Sequence, residues 1–233
     1  HGKLLNAGQT CVAPDYALVP EAEAEGFAAA FAEQASRLYP RLLDNPDYTS
    51  IVSGPHRERL AALVEDARAK GARVIEINPA GEDFGRQPGR KFPPTLLLGT
   101  TDEMTVMQRE IFGPILPVRP YRDIAEAIAY INARPRPLAL YYFDEDRERQ
   151  RTVLAHTTSG GVSINDTLLQ YLQEDLPFGG IGSSGMGAYH GREGFLLFSH
   201  CKAVFRQSRL NLADLLRPPY KERVATLVAA LMR

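Results

Sequence analysis

The chain has very little cysteine. Its 233 residues include only two, Cys11 and Cys201, far apart in sequence. That spacing excludes a disulfide framework and a zinc site, both of which need clustered ligands, and it fits a reducing, cytoplasmic compartment. No apolar run approaches the roughly 20 residues that cross a bilayer, and the N-terminus shows no signal-peptide pattern. Neither sign of charge dominates. The formal net charge is −1 with acids and bases interspersed, so no electrostatic footprint for nucleic acid or an anionic membrane is present. The five histidines lack metal-ligand spacing. Internal repeats and low-complexity segments are also missing.

What remains is an ordinary globular composition, 44% hydrophobic and 24% charged. The length suits one large domain, or a domain with an appendage. His1-Gly2-Lys3-Leu4-Leu5 has no initiator Met and reads as the end of a helix already under way. The expectation is therefore the C-terminal portion of a longer protein.

Periodicity alternates between strand and helix. Ala17-Leu18-Val19 reads as a short strand closed by Pro20, and residues 21–38 as a helix with Phe27, Phe31, Ala35 and Leu38 on one face. A second amphipathic helix spans 55–70 and ends where Gly71 supplies a C-cap. Strands follow at 73–77, 94–98 and 115–120; the segment 82–94 reads as an exposed loop. Asp123 caps a helix to about Ala133 with Ala127, Ile128 and Ile131 inward. Residues 138–143 form a strand, 145–155 a helix, and 161–165 a buried strand. The Gly-rich stretch 170–194 reads as a long ordered loop, 195–205 as strand-like, and Val224, Leu227, Val228 and Leu231 as the stripe of a last helix. This order predicts an α/β fold with a largely parallel sheet, flanking helices and right-handed crossovers.

An arbitrary cysteine is usually a small core residue. Cys11 has a different setting: a short helical stretch broken by Gly8 precedes it, and Pro14 stops any helix after it. That is the polar, partly exposed niche in which a thiolate becomes a useful nucleophile. Cys201 lies in a strand-like context where burial is the default. An isolated glutamate is most often a solvated surface acid, but Glu110 stands beside the apolar turn Phe112-Gly113-Pro114. Gly180-Ile181-Gly182-Ser183-Ser184-Gly185 formally matches G-x-G-x-x-G. It lacks the preceding strand and following helix that a dinucleotide fingerprint requires, so it is rejected.

Three segments in register carry a resemblance. Gly8-Gln9-Thr10-Cys11 with Ala13-Pro14-Asp15-Tyr16, Glu110-Ile111-Phe112-Gly113-Pro114, and Leu176-Pro177-Phe178-Gly179-Gly180 with Ser184-Gly185-Met186-Gly187 resemble the aldehyde dehydrogenase superfamily in order and spacing. Asn165-Asp166, Gly187-Ala188-Tyr189-His190-Gly191 and Phe198-Ser199-His200 resemble its class 3-like branch. The run His1 to Ala7 is most similar to the bacterial coniferyl aldehyde dehydrogenases.

The resemblance implies a catalytic domain over residues 1–200, then an oligomerisation strand and helical tail over 201–233. It also implies a homodimeric parent whose N-terminal half binds most of the NAD or NADP. Cys11 would attack an aromatic or long-chain aldehyde, giving a thiohemiacetal and then a thioester. Glu110 would accept hydrogen bonds from the nicotinamide-side ribose, and Phe112 would pack near the nicotinamide. Asn165 would support the pocket, while Leu168, Leu169, Tyr171 and Phe178 would line it; core packing accounts equally well for those four. The family's general base, a Glu in a Glu-Leu-Gly-Gly-type segment, has no counterpart here, so these 233 residues alone are expected to give no turnover. Three other readings remain open: a cofactor-independent cysteine esterase, a non-catalytic assembly module, and acylating chemistry within the same superfamily.

Overall fold

A computed structural model describes residues 1–209, 218 and 222–232. They divide into two compact units, residues 1–197 and 198–233.

The first unit is built on two small sheets. One has four strands, β1 (Ala17–Pro20), β2 (Arg73–Glu76), β3 (Thr95–Leu98) and β4 (Ile115–Tyr121), in the order β1-β4-β3-β2. β1 and β3 both run parallel to β4, and β2 is antiparallel to β3. The other sheet pairs β5 (Ala139–Tyr142) in parallel with β6 (Gly161–Ile164). The helices are α1 (Ala24–Leu38), α2 (Gly54–Ala69), α3 (Ile124–Asn132), α4 (Arg147–His156) and α5 (Gly191–Leu197). The expected α/β class with mostly parallel strands is present, split between two sheets and with one antiparallel edge.

Strand alternation sorts the core into two layers. Leu97 and Ile115 pack with Leu60, Leu63, Val64 and Ala67 of α2 on one face. Leu96, Leu98, Leu116 and Val118 pack with Ala28 and Ala35 of α1 on the other. Because successive strand side chains point to opposite faces, a strand buried on both sides reads as a continuous apolar run; β3 is buried at all four positions. Helix starts are set by short polar side chains. The Ser53 side chain accepts the His56 N–H at the head of α2, with Pro55 in the first turn. Asp123 accepts the Glu126 N–H at α3, and Asp146 accepts the N–H groups of Glu148 and Arg149 at α4.

Several expectations change. The strand at 161–165 stops at Ile164 and is half-buried, because Asn165 turns into the left-handed region at φ 57. The loop at 170–194 contains 3-10 turns at Leu169–Leu172 and Gly182–Ser184 and the start of α5. Residues 195–197 belong to α5, and residues 198–208 have no regular structure. A strand exists only through a partner edge, and no strand among the described residues pairs with this segment. Cys201 is consequently exposed rather than buried. In the second unit, the helical tail forms as α6 (Glu222–Leu231). Val224 is half-buried and Val228 exposed; the Leu227 and Leu231 side chains lie outside the described residues.

Tyr48 lies in the same core cluster as Ala7 and Ile51. Its ring is fully buried and its hydroxyl donates to the Phe92 carbonyl at 2.7 Å. Tyr48→Phe keeps the ring and leaves that buried carbonyl unpaired. Urea unfolding is expected to show a loss of about 1–3 kcal/mol.

Candidate active site

Cys11 stands at the second position of a reverse turn closed by Ala13 N–H donating to the Thr10 carbonyl at 3.1 Å. The thiol is free and exposed, while Val12 beside it is buried. The approach to this turn is strained. Asn6, Ala7 and Gly8 have φ of 51°, 52° and 74°, a left-handed run that costs about 1–2 kcal/mol for each non-glycine residue. Packing enforces it: Ala7 is completely buried, and a Cβ at Gly8 would overlap the Gly113 carbonyl. Gln9 then clamps the loop with its whole amide. Its Nε2 donates to the Asn6 and Ser50 carbonyls at 3.0 and 3.1 Å, and its Oε1 accepts the Val52 N–H at 2.8 Å.

The segment from Glu110 to Phe112 lies against this loop through the Gly8–Gly113 contact and is held by its backbone. Asp15 accepts the Ile111 N–H at 2.9 Å. From the first turns of α2, Arg59 donates to the Glu110 and Ile111 carbonyls. His56 Nε2 lies 2.7 Å from the Phe112 carbonyl, which only accepts, so Nε2 carries the hydrogen and Nδ1 is left to accept from Arg59 Nε. This grip fixes Phe112 at φ 51, a conformation rarely taken by a bulky residue. Phe112 is half-buried and Glu110 exposed. The Glu110 carboxylate makes no hydrogen bond among the described residues.

The expected pocket residues fall into three groups. Asn165 spends its side chain on the β5–α4 connection, accepting the Asp144 N–H and donating to the Asp144 carbonyl and Glu145. Leu168 is 3% exposed in a left-handed backbone, with Thr167 beside it pressed against Gly2. Leu169 points outward. Tyr171 and Phe178 come together at 6.3 Å between ring centroids, and Phe178 extends the cluster to Tyr189 and His190 at 5.6 and 6.1 Å. A cavity of about 280 Å³ adjoins Phe178, lined also by Leu138, Met186, Tyr189 and Leu197. The sequence does not mark Gln9, Asp15, His56 or Arg59 as parts of this framework, since nothing local to them says what their side chains hold.

This arrangement has a counterpart among known proteins. A family model described as "Aldehyde dehydrogenase family" matches residues 1–204. The chain belongs to the aldehyde dehydrogenase family. A probable coniferyl aldehyde dehydrogenase of Caulobacter vibrioides is 55% identical over 231 residues, covering 98% of this chain and 48% of that relative. The coniferyl aldehyde dehydrogenase of a Pseudomonas species is 49% identical, covering 99% and 48%. A substrate-bound state of Staphylococcus aureus AldH superposes with a TM-score of 0.82 at 39% identity, over 100% of this chain and 49% of that one. The Mycobacterium tuberculosis aldehyde dehydrogenase complexed with NAD+ gives 0.78 at 26% identity, over 91% and 43%. The chain spans about half the length of the curated relatives it matches.

Beneath the Cys11 loop of this aldehyde dehydrogenase chain, the buried Lys3 faces the half-buried Asp15 and the exposed Glu110. Lys3 is 4% exposed, and burial lowers its pKa to about 8 against the opposing pull of Asp15 and Glu110. Burial raises the Asp15 carboxyl, with Lys3, the Ile111 N–H and Arg59 working the other way. Burial and then the Asp15 charge raise Glu110. For Lys3 the folded pKa lies below the unfolded one. Between about pH 8 and 10.5 the unfolded chain therefore holds the extra proton, and stability rises with pH. The stability of the wild type relative to Lys3→Met is expected to rise by about 3 kcal/mol between pH 7 and 10.5 in denaturant titrations. A difference that stays flat over this range contradicts the buried ammonium.

Proposed function

We propose that these residues are the nucleophile-bearing part of an NAD(P)-dependent aldehyde dehydrogenase that oxidises an aromatic, coniferyl-type aldehyde to its acid. The observation that carries this reading is the exposed Cys11 on a turn entered through the strained, braced run Asn6 to Gly8, which packs against the segment that presents Glu110 and Phe112. The relatives named for coniferyl aldehyde support the substrate class, as does the aromatic group Tyr171, Phe178 and Tyr189.

The Cys11 sulfur, as thiolate, bonds to the aldehyde carbon while the carbonyl electron pair moves to oxygen. The Cys11 backbone N–H stabilises that oxyanion, and its fixed turn removes the cost of orienting it. When bound, NAD(P)+ supplies the acceptor for the hydride that leaves the tetrahedral carbon. Water then cleaves the thioester, releasing the acid and restoring the thiol. Glu110 suits a pair of ribose hydroxyls because its carboxylate only accepts and its oxygens are uncommitted. Phe112, locked in its backbone, offers a flat apolar wall for the nicotinamide. The general base and the adenine subsite are assigned to residues outside these 233. The exposed apolar residues Phe198, Val204 and Phe205 are assigned to a homodimer contact.

In the full-length protein, coniferaldehyde-dependent NAD(P)H formation followed at 340 nm is expected to fall at least about a thousandfold in Cys11→Ser. Glu110→Gln is expected to raise the KM for the nucleotide. Unchanged turnover in Cys11→Ser, or brisk Cys11-dependent ester hydrolysis without nucleotide and no aldehyde oxidation, contradicts the assignment.

A further inference from the structure

A hydrogen-bonded chain of side chains reaches the nucleophile turn from the second sheet. Tyr141 on β5 and Ser163 on β6 are register partners, so their side chains share a face. The buried Gln170, from the 3-10 turn Leu169–Leu172, closes the gap between them. Ser163 Oγ donates to Gln170 Oε1 at 2.6 Å, Gln170 Nε2 donates to the Tyr141 oxygen at 3.2 Å, and the Tyr141 hydroxyl donates to the Val12 carbonyl at 2.6 Å.

The direction of this chain is forced from its far end. A carbonyl only accepts, so Tyr141 spends its single proton on Val12. Its oxygen can then only accept, as it does from the Leu168 backbone N–H, so the Gln170 amide turns its NH2 side toward Tyr141 and leaves its oxygen for Ser163. Val12 is the third residue of the turn whose second residue is Cys11. Its carbonyl is a handle by which this network grips that turn.

We propose that Tyr141 and Gln170 are positioning residues, which hold the Cys11 turn through the Val12 carbonyl and couple it to the substrate-side turn Leu169–Leu172. The proposal rests on the reading of Cys11 as the nucleophile. Both act on the turn through its backbone, and the Tyr141 ring fills its site without its hydroxyl. Removing the hydroxyl, or replacing the Gln170 amide by a carboxylate that draws the tyrosine proton to itself, therefore frees the same carbonyl by two routes.

The test is alkylation of Cys11 by iodoacetamide across a pH series, in full-length protein carrying Cys201→Ser. Tyr141→Phe and Gln170→Glu are each expected to slow alkylation about fivefold to tenfold, the loss of one hydrogen bond. The double variant should be no slower than either single one, since both break one chain. The Gln170→Glu deficit should shrink as the pH falls through the carboxyl range, because the protonated acid again offers Tyr141 a donor. Rates equal to the parent's, multiplicative losses, or a deficit independent of pH overturn the proposal. If Tyr141→Phe fails to fold, Gln170→Glu and its pH dependence decide alone. A parent Cys11 no more reactive than free cysteine, with aldehyde oxidation surviving Cys11→Ser, overturns the nucleophile reading itself and the proposal with it.

Discussion

The structure depends on a left-handed stretch of backbone at Asn6, Ala7 and Gly8, directly before the Cys11 turn. Two of the three residues have a Cβ, so the conformation persists only because its surroundings leave no alternative. Ala7 is sealed in the core, Gly8 lies on the Gly113 carbonyl, and the Gln9 amide ties the loop to residues 50 and 52. Strain, burial and clamp act together. They lift Cys11 out to solvent while the residues on either side remain anchored.

The second half of the site follows the same logic. Glu110 and Phe112 are positioned by their main chain: Arg59 and His56 take three consecutive carbonyls, and Asp15 takes the intervening N–H. The Glu110 carboxylate is thereby left uncommitted among the described residues. Holding a site by its backbone lets each exposed group keep its full hydrogen-bonding capacity. It also explains the buried Lys3, whose charge faces the Asp15 carboxylate that this arrangement requires.

Much of this was legible in the sequence, and the reasons differ by element. The helices over 21–38 and 55–70, the Asp123 cap of α3 and the four strands of the larger sheet follow from periodicity and short polar residues, which are local signals. After Phe195 the apolar alternation suggests a strand, whereas residues 195–197 end α5 and 198–208 pair with no strand among the described residues. The burial that a strand would give Cys201 is absent for the same reason. The framework of the site was illegible: Gln9 to Ser50, Asp15 to Ile111 and Tyr141 to Val12 join residues 41, 96 and 129 positions apart. Nothing local distinguishes such a residue from any other polar side chain. The left-handed Phe112 was equally hidden, because it is imposed by neighbours rather than chosen by phenylalanine.

The account stands or falls on covalent chemistry at Cys11. The most direct measurement is mass spectrometry of the full-length protein quenched during turnover with coniferaldehyde and NAD(P)+. The account predicts that the peptide carrying Cys11 gains the mass of the acyl group, as a thioester cleaved by hydroxylamine. Turnover with an unmodified Cys11 peptide, or an adduct found on Cys201 instead, contradicts it.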